Sequence, residues 1–91
     1  MAEVIVTLKI MPTGIGIDLK GIEEKSKKKI KRFGAEFLKS EEFPIAFGLK
    51  SLNIMFLMDE SKGDTEPLEK EISRIKGVNS VEVIDVRRAI G

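Results

Sequence analysis

From Glu3 to Met11 the chain alternates: Val4, Val6, Leu8 and Ile10 fall on one side of an extended backbone, Ile5, Thr7, Lys9 and Met11 on the other. This period of two predicts a strand with one strongly apolar face, and Pro12-Thr13-Gly14 breaks it. Asp18 then stands as an N-cap, with Ile17 and Ile22 as a hydrophobic staple around it. Leu19, Ile22, Ser26, Ile30 and Phe33 follow at steps of three and four, the stripe of an amphipathic helix that Gly34 ends. Ala35 to Phe43 is mixed and predicts a weaker second strand, finishing before Pro44. Alternation returns from Lys50 to Met58, with Leu52, Ile54, Phe56 and Met58 on one face and Asn53, Met55 and Leu57 opposite. Apolar residues on both faces predict a central strand. After a polar loop, Asp59 to Asp64, a second helix is expected from near Thr65, with Pro67 tolerated in its first turn and Leu68, Ile72 and Ile75 as its stripe. Gly77 ends that helix, Val78 packs back on Ile72, and Val78 to Ile90 reads as a final strand with a short tail.

The order β-α-β-β-α-β, built from two right-handed crossovers, predicts an α+β, ferredoxin-like sandwich: a four-stranded antiparallel sheet with both helices on one face. Val4, Val6, Leu8 and Ile10 then face the two helices. The 91 residues suit one domain spanning 1–91. An architecture of this kind does not name a function.

Composition narrows the chemistry. With 42% hydrophobic and 34% charged residues the chain has a globular balance. The longest nearly apolar run, Leu52 to Met58, is far shorter than the roughly 20 residues of a membrane span. Alternation begins at once after Met1-Ala2-Glu3, so no secretory signal and no membrane partner are expected, and the expected location is the cytoplasm. There is neither Cys nor His, which removes disulfides, thiolate or imidazole metal ligands and His-dependent triads. No cofactor and no metal site are expected. A net charge of +1 provides no global field toward nucleic acid or membrane.

Five segments invite chemistry. The first helix carries Lys20, Lys25, Lys27, Lys28, Lys29, Lys31 and Arg32 against Glu23 and Glu24, which reads as a solvated outer face, with a phosphate-binding or acid-meeting face as the functional alternative. The acidic loop Asp59, Glu60, Asp64, Glu66 fails the calcium-loop template, because the glycine arrives one position early and Lys70 stands at the twelfth position. Gly14-x-Gly16 is too short for a phosphate cradle. Pro44-Ile45-Ala46-Phe47-Gly48-Leu49-Lys50 is an apolar connection, and Phe47 has two readings: an exposed interface anchor, or a plug closing one end of the core. At the end of the chain, Arg87 and Arg88 either project a cation into a partner's phosphate or metal site or are ordinary edge-strand charge. An RNA-recognition module would need aromatics on its central strands. The first strand has none, the third has only core-facing Phe56, and the chain has no Tyr or Trp, so direct sequence-specific nucleic-acid binding is not expected.

Two of these segments carry a family resemblance. Pro44-Ile45-Ala46-Phe47-Gly48-Leu49-Lys50-Ser51-Leu52 resembles the Pro-Ile-x-Phe-Gly-hydrophobic-Lys-x-Leu stretch of the elongation factor 1-beta exchange domain, in its compact archaeal form. The opening Val6 to Pro12, the passage Gly63 to Glu69 and the ending Val81 to Arg88 are similar as well. The resemblance implies a guanine-nucleotide exchange factor, not an enzyme of covalent chemistry, that acts on elongation factor 1-alpha in its GDP-bound and nucleotide-free states. It implies that Phe47, with Ile45, Gly48 and Lys50, binds a pocket on the second domain of that GTPase. A penultimate Lys of eukaryotic members enters the magnesium and phosphate site; alignment puts Arg88 there, with Arg87 beside it, and guanidinium is not interchangeable with ammonium. The alternative on this fold is a small-ligand or RNA-binding module.

Overall fold

The computed structural model describes residues 2–89, and Ile90, assigned above to the last strand, lies outside them. The elements run β1 (Glu3–Pro12), α1 (Leu19–Phe33), β2 (Glu36–Pro44), β3 (Lys50–Asp59), a 3₁₀ turn (Glu60–Lys62), α2 (Glu66–Ser73) and β4 (Val78–Arg88). The sheet has the order β2-β3-β1-β4, and every neighbouring pair is antiparallel. This is the expected ferredoxin-like architecture, with β1 and β3 in the centre.

Val4, Val6, Leu8 and Ile10 of β1 stand opposite Met58, Phe56, Ile54 and Leu52 of β3, and all eight are buried. Leu19, Ile22 and Ile30 of α1 close over them together with Leu68 and Ile72 of α2 and Ile75 just beyond it. The alternation seen in the sequence is therefore the division between a helix-covered face and an open face carrying Ile5, Thr7, Lys9, Met55 and Leu57. No aromatic from β1 or β3 reaches that open face, since Phe56 is fully buried on the other side.

Local signals held with small shifts. Gly34 ends α1 at φ 95°, donating its N–H to the carbonyls of Ile30 and Lys31. Asp18 occupies the N-cap position through its backbone, but its carboxylate makes no capping hydrogen bond. Instead of running to Gly77, α2 stops at Ser73 and tightens into i→i+3 turns, the N–H groups of Arg74 and Ile75 donating to Glu71 and Ile72. The carbonyl of Gly77 accepts from Thr13 N–H at 2.8 Å, which fixes the entrance to β4 beside the end of β1. Strand β2 includes Pro44 because it is an edge strand, where a missing N–H leaves no ladder bond unmade.

Ser26 is fully buried in the α1 stripe, and its Oγ has no hydrogen-bond partner among the described residues. A buried, unpaired hydroxyl carries its desolvation cost without return, and alanine is the better helix former. Ser26→Ala is therefore expected to stabilise the protein by about 1–2 kcal/mol, read as a higher denaturation midpoint at unchanged m.

Candidate functional site

The β2–β3 connection is built as a tight hairpin. Pro44 pairs with Lys50, Ile45 N–H donates to the Leu49 carbonyl at 2.8 Å, and Leu49 N–H donates to the Ala46 carbonyl at 2.9 Å. Its two central residues have positive φ, 53° at Phe47 and 81° at Gly48, the signature of a type I′ turn. Glycine adopts this conformation freely. For phenylalanine it is strained, by an amount on the order of 1–2 kcal/mol. A Cβ at Gly48 would meet only Cδ1 of Ile15 in the β1–α1 connection at 3.4 Å, an ordinary contact, so the positive φ alone calls for glycine there.

The turn projects the Phe47 ring into solvent despite that strain. Phe47 is 94% exposed, so the core-plug reading is wrong: the turn extends past the last sheet pair, and no core surface lies within its reach. Ile45 and Phe43 are partly exposed at the same end, and Ile15, 69% exposed, leans on Gly48. Lys50, exposed at the start of β3, supplies the cation beside this apolar group. Ile15 was not singled out from the sequence, although an isolated isoleucine between Gly14 and Gly16 was the available signal.

Arg87 and Arg88 lie at the opposite end of the sheet. Arg88 stands opposite Val4, which in turn stands opposite Met58, so β3 from Lys50 to Met58 separates the two ends. Eight strand steps correspond to about 26 Å, within a longest molecular dimension of 42 Å. The backbone here is pinned by Ala89 N–H donating to the Glu3 carbonyl at 2.8 Å. Because successive strand residues point to opposite faces, the two arginines diverge. Arg87 shares the open face with Ile5, and its Nε donates to Asp85 Oδ2 at 2.7 Å. Arg88 points to the helix side, where its guanidinium donates to Glu60 Oε1 at 3.1 Å.

Both arginine side chains are about three-quarters exposed, so their ion pairs are of the kind worth roughly 0.2–1 kcal/mol. The acidic loop is occupied with its own backbone. Ser61 N–H donates to Asp59 Oδ1 at 2.8 Å and holds that carboxyl below the ordinary aspartate pKa, while Glu66 N–H donates to Asp64 Oδ1 at 2.9 Å. Among the described residues no group of three or more Asp or Glu converges in a way that could hold a metal ion, and no helix is long and apolar enough to cross a membrane.

Fold and site together define a ferredoxin-like sandwich with an exposed apolar turn at one end of its sheet and exposed guanidinium groups at the other. Solved structures share the architecture: the ACT domain from GTP pyrophosphokinase of Chlorobium tepidum superposes with a TM-score of 0.60 at 16% identity, over 90% of this chain and 99% of that one. The C-terminal domain of the MgtC protein from Mycobacterium tuberculosis does so with a TM-score of 0.52 at 17% identity, over 98% and 88%. Identities this low speak to fold alone. Sequence is more specific, since residues 5–89 match the family model of the EF-1 guanine nucleotide exchange domain. Proteins called elongation factor 1-beta are 41% identical in Methanothermobacter thermautotrophicus and 44% identical in Staphylothermus marinus, each over 97% of this chain and 98% of the relative. The chain belongs to the EF-1 guanine nucleotide exchange domain family.

Proposed function

We propose that this protein promotes GDP release and GTP rebinding on elongation factor 1-alpha, as a cytoplasmic component of translation elongation. The observation that carries the reading is Phe47, held 94% exposed at a positive φ beyond the far end of β3, whose eight steps of about 26 Å lead to the arginine end of the sheet. A ring displayed in that way is an anchor for a pocket on a partner. With one end docked, the other is delivered to a second module of the same GTPase. Exchange then needs no covalent step. It requires only that the protein bind the nucleotide-free GTPase more tightly than the GDP-bound one, which shifts the partner toward release.

At the second end, Arg88 or Arg87 contributes donors to the phosphate and magnesium region. Leaving Glu60 or Asp85 costs an exposed pair only about 1 kcal/mol or less, which charge-assisted hydrogen bonds to phosphate oxygens outweigh. The guanidinium replaces the ammonium of eukaryotic members with a planar fork of donors, so the contact is multidentate instead of a point charge.

The test is release of mant-GDP from elongation factor 1-alpha in the presence of catalytic amounts of this protein. Release is expected well above the intrinsic rate. Arg87→Ala/Arg88→Ala is expected to slow stimulated release about tenfold, the worth of one lost hydrogen bond to a charged group at about 1.5 kcal/mol, with little change in the affinity of docking. Release that stays at the intrinsic rate with the native protein would sink the proposal.

A further inference from the structure

The seam between α1 and α2 on the outer side of the helical layer is lined by Lys25, Lys28, Lys29 and Arg32 from α1 and by Arg74 and Lys76 from the end of α2. The second helix was not part of the basic segment visible in the sequence. Folding brings its last turn alongside α1 and turns a charged helix face into a two-sided groove. Glu71 pairs with both Lys29 and Arg74, whereas Lys25, Lys28, Arg32 and Lys76 make no ion pair among the described residues. The acids of α1 lie elsewhere, with Glu23 and Glu24 both held by Lys27. A nearly neutral chain therefore carries a locally cationic surface on the outer side of the helical layer.

We propose that this groove binds the phosphodiester backbone of structured RNA without reading its sequence. Two observations favour a nucleic-acid backbone over an acidic protein, and a third favours a duplex over a single strand. Protein interfaces are depleted in Lys and centre on apolar anchors. Here the unpaired cations are mostly lysines, and Ile75, the apolar residue of the groove, is only 7% exposed. Lys25, Lys28 or Lys29, and Arg32 recur about once per helical turn, about 5.4 Å apart, a row of cations rather than a single point charge, as a strand of successive phosphates requires. Phe33 lines only the adjoining hollow that shares Lys29 and Arg32; the stretch bounded by Lys25, Lys28, Arg74 and Lys76 has no aromatic, which suits a duplex backbone over stacked single-stranded bases. The choice of RNA over DNA rests on the function proposed above, which sets the protein to work in translation, among folded RNAs.

The experiment is fluorescence anisotropy of a labelled RNA duplex of roughly 16 base pairs, the span of a compact RNA-binding domain, titrated with the full chain. With four phosphates neutralised, affinity is expected to fall about 10²-fold between about 50 and about 200 mM salt. Lys28→Gln/Arg32→Gln is expected to lose at least tenfold in affinity at about 50 mM salt and to flatten the log–log salt slope by about 1.8. The charge-matched pair Lys9→Gln/Lys39→Gln, on the open face of the sheet, is expected to bind as the native protein does. Lys28, Arg32 and Lys39 are exposed and Lys9 is half-buried, and thermal melts of the variants check that both stay folded. Equal losses in both variants would reduce the effect to diffuse charge, and no binding at about 50 mM salt would leave no site; either overturns the proposal. Polyglutamate competing as strongly as RNA would reassign the groove to an acidic protein and overturn it too. None of these outcomes bears on nucleotide exchange, which is measured without RNA.

Discussion

Replacing Phe47 by alanine is expected to raise the Kd for elongation factor 1-alpha about 30-fold, a loss of about 2 kcal/mol, while leaving the melting temperature within about 2 °C of the native value. Both halves follow from one geometry. The ring is 94% exposed, so its removal opens no cavity and takes no surface out of the core. The strained φ of 53° is equally unwelcome to alanine, so the backbone contribution to stability is unchanged. What disappears is the displayed apolar area and its fit to a pocket. Calorimetric titration against the GTPase and a thermal melt of the free protein check the two halves separately. Intact affinity in the variant would remove Phe47 from the interface, and a large drop in melting temperature would contradict its exposure.

A second phenylalanine, nine residues along, should behave in the opposite way. Phe56→Ala is expected to cost about 3–5 kcal/mol and to lower the melting temperature by roughly 20 °C. Phe56 lies at the middle of central strand β3, opposite Val6, and is fully buried. Its neighbours are held by sheet hydrogen bonds on two sides and by both helices above, so they cannot close the space left behind. The loss combines the transfer free energy of the ring with the cavity it vacates. A denaturant titration should show a lower midpoint with m unchanged, and near-native stability would mean that the core rearranges around the gap. Affinity for the GTPase, measured where the variant is folded, should remain close to native, since Phe56 contributes to the platform and not to its ends.

These two outcomes divide the molecule into a rigid sheet and its exposed ends. The proposed exchange by differential binding uses that division, with one end docking and the other meeting the nucleotide at a fixed separation. Eight steps along a hydrogen-bonded central strand maintain such a distance better than any loop could. The weak ion pairs at the arginine end are compatible with the proposed mechanism, in which Glu60 and Asp85 would release the guanidinium groups at small cost.

Alternation in β1 and β3, the stripes of α1 and α2 and the stops at Pro12 and Gly34 were legible in the amino-acid order, because each arises from neighbours within a few residues. That locality is why element types, the buried set and the ferredoxin-like order could be read directly, with errors confined to ends such as the early stop of α2 at Ser73. The exposure of Phe47 could not be read in this way. An apolar residue in an apolar connection fits core and surface equally well until the hairpin register carries it past the last sheet pair. The divergence of Arg87 and Arg88, the lean of Ile15 on Gly48, the contact of Arg88 with Glu60 and the joining of Arg74 and Lys76 to the α1 lysines belong to the same class. Each depends on which distant segments are brought together, and that is decided by the packing of the whole sheet against its helices, not by propensity along the chain.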